Sequence, residues 1–288
     1  VEVSPPQESI QGTQWWTSYQ PVSYKLDSKL GTEAEFKNMI KQCNAVGVDI
    51  IADVVLNQTT GADVADGKQT GVAGTEYNGS TGDYPGFATE QYPEGITASD
   101  FHSCSKNISN YANQQEVQEC RLSSMWDFDS ESEKVQDIQS DYLAALWNAG
   151  VRGFRMDAVK HIHTDSMKAI KEKFAKKIGV NADSIYWIQE VIGNSSEAAG
   201  IQPSNYVQNG TVTEFGFKSE MNQTFKDKIA NLKGLNERLS KDLASEDANV
   251  FVTNWDTARN EGALTYKDGA KYQLANAFML AYAYGTPR

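Results

Sequence analysis

The sequence predicts an α/β fold, with strands and helices alternating along the chain and the strands gathered into a barrel. Three observations carry that prediction. Short apolar runs rich in β-branched residues recur, stripes with helical period lie between them, and glycine stands where the stripes stop. The 288 residues are 40% hydrophobic and 22% charged, enough to bury the core of one barrel-sized domain.

Residues 1–4 are the first candidate strand. Thr32 and Glu35 form a capping-box pattern, after which Phe36, Met39, Ile40, Cys43 and Val46 recur at helical spacing. Gly47 ends that helix, and 46–56, with Val48, Ile50, Ile51, Val54 and Val55, reads as a strand buried on both faces. The pattern returns at 130–149, where Ser130 and Glu133 look like a cap. Val135, Ile138, Tyr142 and Leu146 make the stripe, Gly150 stops it, and 151–158 is the next strand. A third unit pairs a helix at 166–178 with a strand at 185–191. Apolar segments at 211–215, 250–253 and 277–282 bring the candidate strands to seven. Repeated helix–strand units of this number favour a closed barrel over a two-domain dinucleotide-binding arrangement. Residues 58–126 break the rhythm, being rich in Gly, Ser, Thr, Asn and Asp. A structureless loop of that length is improbable in a compact domain. The expected organisation is therefore 1–57 as the first part of the barrel, 58–126 as a small inserted domain, and 127–288 as the rest.

A net charge of −12, without a stripe of Lys and Arg, argues against nucleic acid as a partner. The longest apolar region, 275–284, is too short and interrupted to cross a bilayer. Cys104 and Cys120 lie in polar, loop-like sequence and are expected to form a disulfide, whereas Cys43 reads as buried filler. Sequons at Asn57, Asn78, Asn107, Asn194, Asn209 and Asn222 permit glycosylation without requiring it.

Chemistry-bearing residues stand at the carboxyl ends of the predicted strands: Asp53 and Asn57, Arg155 and Asp157, Glu190, then Asn254 and Asp256. In a barrel those ends converge on one face. Carboxylates without a histidine base beside them suggest cleavage of a glycosidic bond, which needs one ionised and one protonated carboxyl group. Arg155 and Asp157 are two apart on a strand, so both side chains leave on the same face, and the cation favours an ionised Asp157. Glu190 follows Tyr186, Trp187 and Ile188, a setting suited to an acid. Asp256 could hold sugar hydroxyls. Trp15, Trp16 and Tyr19 offer faces for pyranose rings, with Gln14 and Gln20 as hydrogen-bonding partners, although one tryptophan could equally be core. Trp126, Trp147 and Trp187 read as core. Asn57, Asp127 and the neighbourhoods of Gln118 and His161 could supply oxygen ligands for Ca²⁺. A zinc site fits poorly, since His102 is distant in sequence from His161 and His163, the only other histidines.

At these residues the sequence resembles the alpha-amylases, especially the branch of animal and some actinobacterial enzymes. The segments are Asp53-Val-Val-Leu-Asn57-Gln58, Gly153-Phe-Arg-Met-Asp157-Ala-Val-Lys-His161, Gln189-Glu190-Val-Ile192 and Phe251-Val-Thr-Asn254-Trp255-Asp256. The likeness also covers residues 3–8 and 14–21 and runs in order along the chain. It implies a (β/α)₈ barrel with an insertion after the third strand, and endo-hydrolysis of α-1,4-glucan such as starch with retention of configuration. Asp157 would be the nucleophile, Glu190 the acid/base and Asp256 the transition-state stabiliser. Calcium would sit on Asn57, Asp127 and the carbonyls of Gln118 and His161, and chloride on Arg155, Asn254 and Arg288. Subsite contacts would come from Trp15, Trp16, Tyr19, Gln20, Tyr111, Arg155, Lys160, His161 and Ile192.

Two positions depart from the family pattern, with Gln58 and Trp255 standing where it has histidines beside the cleaved bond. Gln58 can still donate to a sugar, while Trp255 is much larger. The resemblance places the chain's start inside the second barrel strand and its end just after the eighth. The expectation is therefore a fragment lacking the first strand and a terminal β-domain, unstable in isolation. A secreted monomer is expected. A non-catalytic glucan-binding homologue and a glucanotransferase are the alternatives.

Overall fold

The computed structural model describes residues 1–64, 66–239, 243–259 and 262–288. Its main sheet has seven strands: β1 (Glu2–Val3), β2 (Ile51–Val54), β3 (Gly153–Met156), β4 (Tyr186–Gln189), β5 (Thr211–Thr213), β6 (Ala248–Val250) and β7 (Thr286–Pro287). They lie side by side in chain order, the arrangement of a (β/α) barrel with one strand fewer than eight. The chain falls into two compact units, Val1–Trp187 and Ile188–Arg288.

In the first unit, β1 and β3 flank β2 in parallel, and the register sets Asp53 opposite Arg155. The helices form where capping and periodicity coincide. Thr32 accepts from the Glu35 amide and Glu35 accepts from the Thr32 amide, closing the capping box of the Glu33–Ala45 helix. Of its apolar stripe, only Ile40 is buried; Cys43 is half-buried and Val46 exposed. Cys43 is thus only partly covered, short of the interior filler expected. Ser132 stands at the N-cap position of the Glu133–Ala149 helix without a side-chain cap bond, and the Ser130 hydroxyl turns to Glu131, which corrects the expected cap. Gly150 ends it at φ 109°, and a Cβ there would lie 2.7 Å from Ile40, so helix termination and helix packing both require glycine.

The described residues of the 58–126 stretch also lie in this unit and are well structured. Gln58–Gly61 pairs antiparallel with Met125–Asp127, and Gln69–Thr70 with Glu76–Tyr77. Tyr77, Tyr84, Phe87, Ile96, Phe101 and Phe128 pack with Val22, Val135 and Ile138, the last two from the Glu133–Ala149 helix. The Cys104–Cys120 disulfide forms. Fully buried Glu8 ties this region to the amino-terminal segment, accepting from the amides of Ala73 and Thr75 and from the Ser23 hydroxyl.

In the second unit, β5 joins β4 and β6, and β6 joins β7, all in parallel. Three expected strands change. All of the 277–282 segment but Tyr282, the C-cap, lies within the Ala270–Ala281 helix, with Ala275 and Met279 buried one turn apart. Its residues are good helix formers without a β-branched side chain, so an apolar run of strand length was ambiguous. At 211–215 the strand stops at Thr213, because Glu214 accepts the Gly216 amide at 2.7 Å and starts the Phe215–Asn222 helix. β6 likewise ends at Val250, ahead of the expected 250–253.

Candidate active site

The register of β2 against β3 builds the central feature of the first unit. Arg155 Nη1 donates to Asp53 Oδ1 at 2.8 Å and to Asp157 Oδ1 at 2.6 Å. Arg155 is 1% exposed and Asp53 wholly buried, whereas the Asp157 side chain keeps 12% of its surface open. A buried guanidinium between two carboxylates satisfies each charge, and it leaves Asp157 as the partly accessible one. Asp53 Oδ2 accepts from the Tyr19 hydroxyl at 2.7 Å. Burial and the nearby Asp53 carboxylate push the Tyr19 phenol far up, so it stays a neutral donor.

The sequence named Tyr19 for sugar stacking; its hydroxyl is engaged with Asp53, and Trp15 meets its ring edge-on at 5.8 Å. Trp16 is 44% exposed. Gln20 Oε1 accepts from the Gly61 amide, which leaves its NH₂ group for other partners. Gln58 is buried and donates to the Tyr19 carbonyl at 3.1 Å, an inward orientation rather than one toward solvent. Lys160 lies over the Tyr111 ring at 5.4 Å, and Tyr111 meets His161 edge-on. Trp187 is core, while Trp126 and Trp147 are half-buried.

The four expected calcium ligands are all buried and occur in two neighbouring pairs. Phe128 donates its amide to the Asn57 carbonyl, setting Asn57 beside Asp127. His161 Nδ1 meets the Val117 carbonyl at 3.0 Å, and Gln118 Nε2 donates to the Ile162 carbonyl at 3.4 Å. The Asn57 amide is near enough to favour an ionised Asp127, yet neither Asn57 Nδ2 nor Asp127 Oδ1 has a directed hydrogen bond. Amide oxygen and nitrogen are interchangeable in assignment. A hard cation with oxygen ligands would satisfy both groups, so the donor set fits calcium. Burial pushes Asp127 up to about 7, against the pull of His102.

A second cluster lies beside it. His102 Nδ1 is 2.7 Å from Asp127 Oδ2, and its Nε2 is 3.1 Å from Glu131 Oε2. Burial opposes protonation of His102, but Asp127 and Glu131 prevail and raise it to about 10. Burial likewise works against ionised Glu131, and His102 and His163 hold it well below the usual range. His102, Asp129 and Glu131 could together hold a metal ion. The sequence reading set His102 apart from His163; folding brings their rings to 6.5 Å. No local motif joins residues so far apart in the chain.

In the second unit, Glu190 follows β4 and is 7% exposed. The preceding Gln189 is anchored by its amide to the Tyr206 and Gly210 carbonyls, and the Val191 amide donates to Thr213 Oγ1. Glu190 is therefore flanked by two fixed residues. Asp256 is exposed in a turn after β6, closed by the Ala258 and Arg259 amides. Asn254 Oδ1 accepts from the Thr257 amide and hydroxyl, leaving only its NH₂ for an anion. Trp255 and Ile192 are exposed, and the Arg288 amide donates to the Val250 carbonyl.

The family model for the alpha amylase catalytic domain matches residues 11–287. The chain is 40% identical over its whole length to an alpha-amylase of Streptomyces violaceus, covering 46% of that protein. It is 41% identical over 99% of its length to an alpha-amylase of Aeromonas hydrophila, covering 60%. It thus spans about half to three-fifths of the length of these relatives. The crystal structure of alpha-amylase I from Eisenia fetida superposes with a TM-score of 0.88 at 34% identity, covering all of this chain and 60% of that one. Among the described residues no helix is long and apolar enough to cross a membrane.

Proposed function

Because the chain belongs to the alpha-amylase family, we propose that it forms most of a catalytic domain that hydrolyses internal α-1,4 bonds of starch-like glucans with retention. The observation that carries this reading is the grip of Arg155 on Asp157 at 2.6 Å, with Asp53 balancing the cation at the same Nη1. That grip orients an ionised carboxylate and leaves it partly open, as a nucleophile requires. Asp157 attacks the anomeric carbon while Glu190 gives its proton to the leaving oxygen, forming a glycosyl ester. Glu190 then takes a proton from water, whose oxygen displaces Asp157 and restores the starting configuration. Asp256 stabilises the positive charge that develops on the sugar in the transition state of each step. Trp15, Trp16, Tyr111, Lys160, His161 and Ile192 supply the subsites.

Asn57 and Asp127, with the carbonyls of Gln118 and His161, would hold calcium, which when bound joins 58–126 to the barrel. Chloride would be held by Arg155, the Asn254 amide and Arg288, where an anion moderates two guanidinium charges. The disulfide supports secretion, and we take the protein to act as a monomer.

The inward-turned Gln58 favours one second reading, a glucan-binding homologue of low activity. Reducing-sugar release from soluble starch separates the two, measured on the full-length protein with calcium and chloride. Hydrolysis that Asp157→Asn abolishes, with glucan binding retained, supports the enzyme. Binding without release by the unmutated protein defeats it, and undiminished release by the variant removes Asp157 as nucleophile.

A further inference from the structure

We propose that His102, Asp129, Glu131 and His163 form a binding site for a borderline transition-metal dication of the Zn²⁺ type, separate from the oxygen ligands of Asn57 and Asp127.

The spacing of the donors is the first argument. Ligand atoms of His102, Asp129 and Glu131 all lie within 4.8 Å of one another. His102 Nε2 is 3.1 Å from Glu131 Oε2 and 3.8 Å from Asp129 Oδ1, and His163 Nε2 is 3.0 Å from Glu131 Oε1. A tetrahedral ion with bonds of about 2.0–2.1 Å separates its ligands by about 3.3 Å, close to the separations of His102 Nε2 from Glu131 and Asp129. His163 meets the other oxygen of the Glu131 carboxylate, so that carboxyl group and the His163 ring must both turn for His163 to join the three.

The orientation of His102 is the second. Its Nδ1 faces the buried Asp127 carboxylate at 2.7 Å, so Nε2 is the nitrogen turned to the cluster. A carboxylate behind an imidazole is the arrangement that fixes the tautomer and aim of a metal-binding histidine. Chemistry then selects the ion. Two imidazoles beside two carboxylates suit Zn²⁺ and its neighbours, whereas Ca²⁺ and Mg²⁺ prefer oxygen alone. The half-exposed Glu131 and His163 side chains leave a path for entry.

The four residues come from three separate stretches. His102 belongs to the 58–126 region, Asp129 and Glu131 precede the Glu133–Ala149 helix, and His163 immediately precedes the Thr164–Ile178 helix. An ion here would pin that region to two helices of the first unit. Without it, the same side chains make an ion-pair network, the competing explanation.

The test is equilibrium dialysis of the protein against Zn²⁺ in saturating Ca²⁺, with bound metal quantified, alongside the visible spectrum of the Co²⁺-loaded protein. The expected result is one Zn²⁺ per chain that excess calcium does not displace, and intense cobalt bands of a tetrahedral site. His163→Ala and Glu131→Gln should each weaken Zn²⁺ binding at least tenfold and bleach the cobalt bands. Both replace partly exposed side chains, and calcium-loaded melting temperatures matching the parent check that they fold. No saturable uptake, uptake that calcium abolishes, or affinity unchanged in both variants would overturn the site and leave only the ion-pair network.

Discussion

Replacing Asp53 by Asn keeps the shape of the side chain and removes its charge, which makes it the sharpest probe of the network at the end of β2. Arg155 is 1% exposed and has two carboxylate partners, at 2.8 and 2.6 Å. Deleting one partner of a buried ion pair costs about 3–5 kcal/mol. Asp157 still compensates the guanidinium, so a smaller loss than that range, about 2–3 kcal/mol, is expected here. Tyr19→Phe removes the 2.7 Å bond to the same carboxylate, and a hydrogen bond to a charged group contributes about 1.5–3 kcal/mol. The two changes share that bond, so the double variant should be less destabilised than the sum, by about 1 kcal/mol. Urea unfolding with all four proteins measured at one pH provides the cycle. If Asp53→Asn lies within about 0.5 kcal/mol of the parent, Arg155 does not depend on Asp53. If the two changes are simply additive, the Tyr19–Asp53 bond is not a real coupling.

Three further outcomes follow. Changing Cys104 and Cys120 to Ser opens a loop of sequence separation 16 and should cost about 3 kcal/mol, and a parent protein indifferent to reductant in urea would contradict it. Glu116 accepts from the Ser109 amide and hydroxyl and the Asn110 amide, which hold its carboxyl down at about 2. Its folded value lies below its unfolded one, so its stabilisation is complete above about 4.5 and is lost as pH falls toward 2. The urea midpoints of the parent and Glu116→Gln should therefore converge across that window, and a constant gap would exclude the carboxylate as the cause. Chloride should raise starch hydrolysis by the full-length protein near neutral pH, with Arg288→Gln active but indifferent to chloride. Superimposable pH–rate profiles with and without the ion, at matched ionic strength, would count against the anion site.

The helix–strand units up to β4 were legible because their signals are local. The Thr32–Glu35 capping box and the Gly150 stop act over a few residues, and both formed. Beyond β5 the strands are two or three residues long, so patterning had little to work on, and 277–282 shows how an apolar run alone misleads. Asp53 and Asp157 were visible as strand-end carboxylates. Their joint hold on Arg155 was not, since it depends on the pairing register of β2 with β3. The inward turn of Gln58 and the meeting of His102 with His163 are likewise long-range results, set by how 58–126 folds back.

The buried Glu8 carboxylate gives two loop amides, those of Ala73 and Thr75, an acceptor that water cannot easily replace. In deuterium these amides would exchange on the slow timescale of sheet interiors, although only short ladders lie nearby. The protection would depend on one side chain sixty-odd residues upstream. A Glu8→Ala protein would show it, since a single altered residue would release a pair of remote amides together while β2 and β3 kept their own slow exchange.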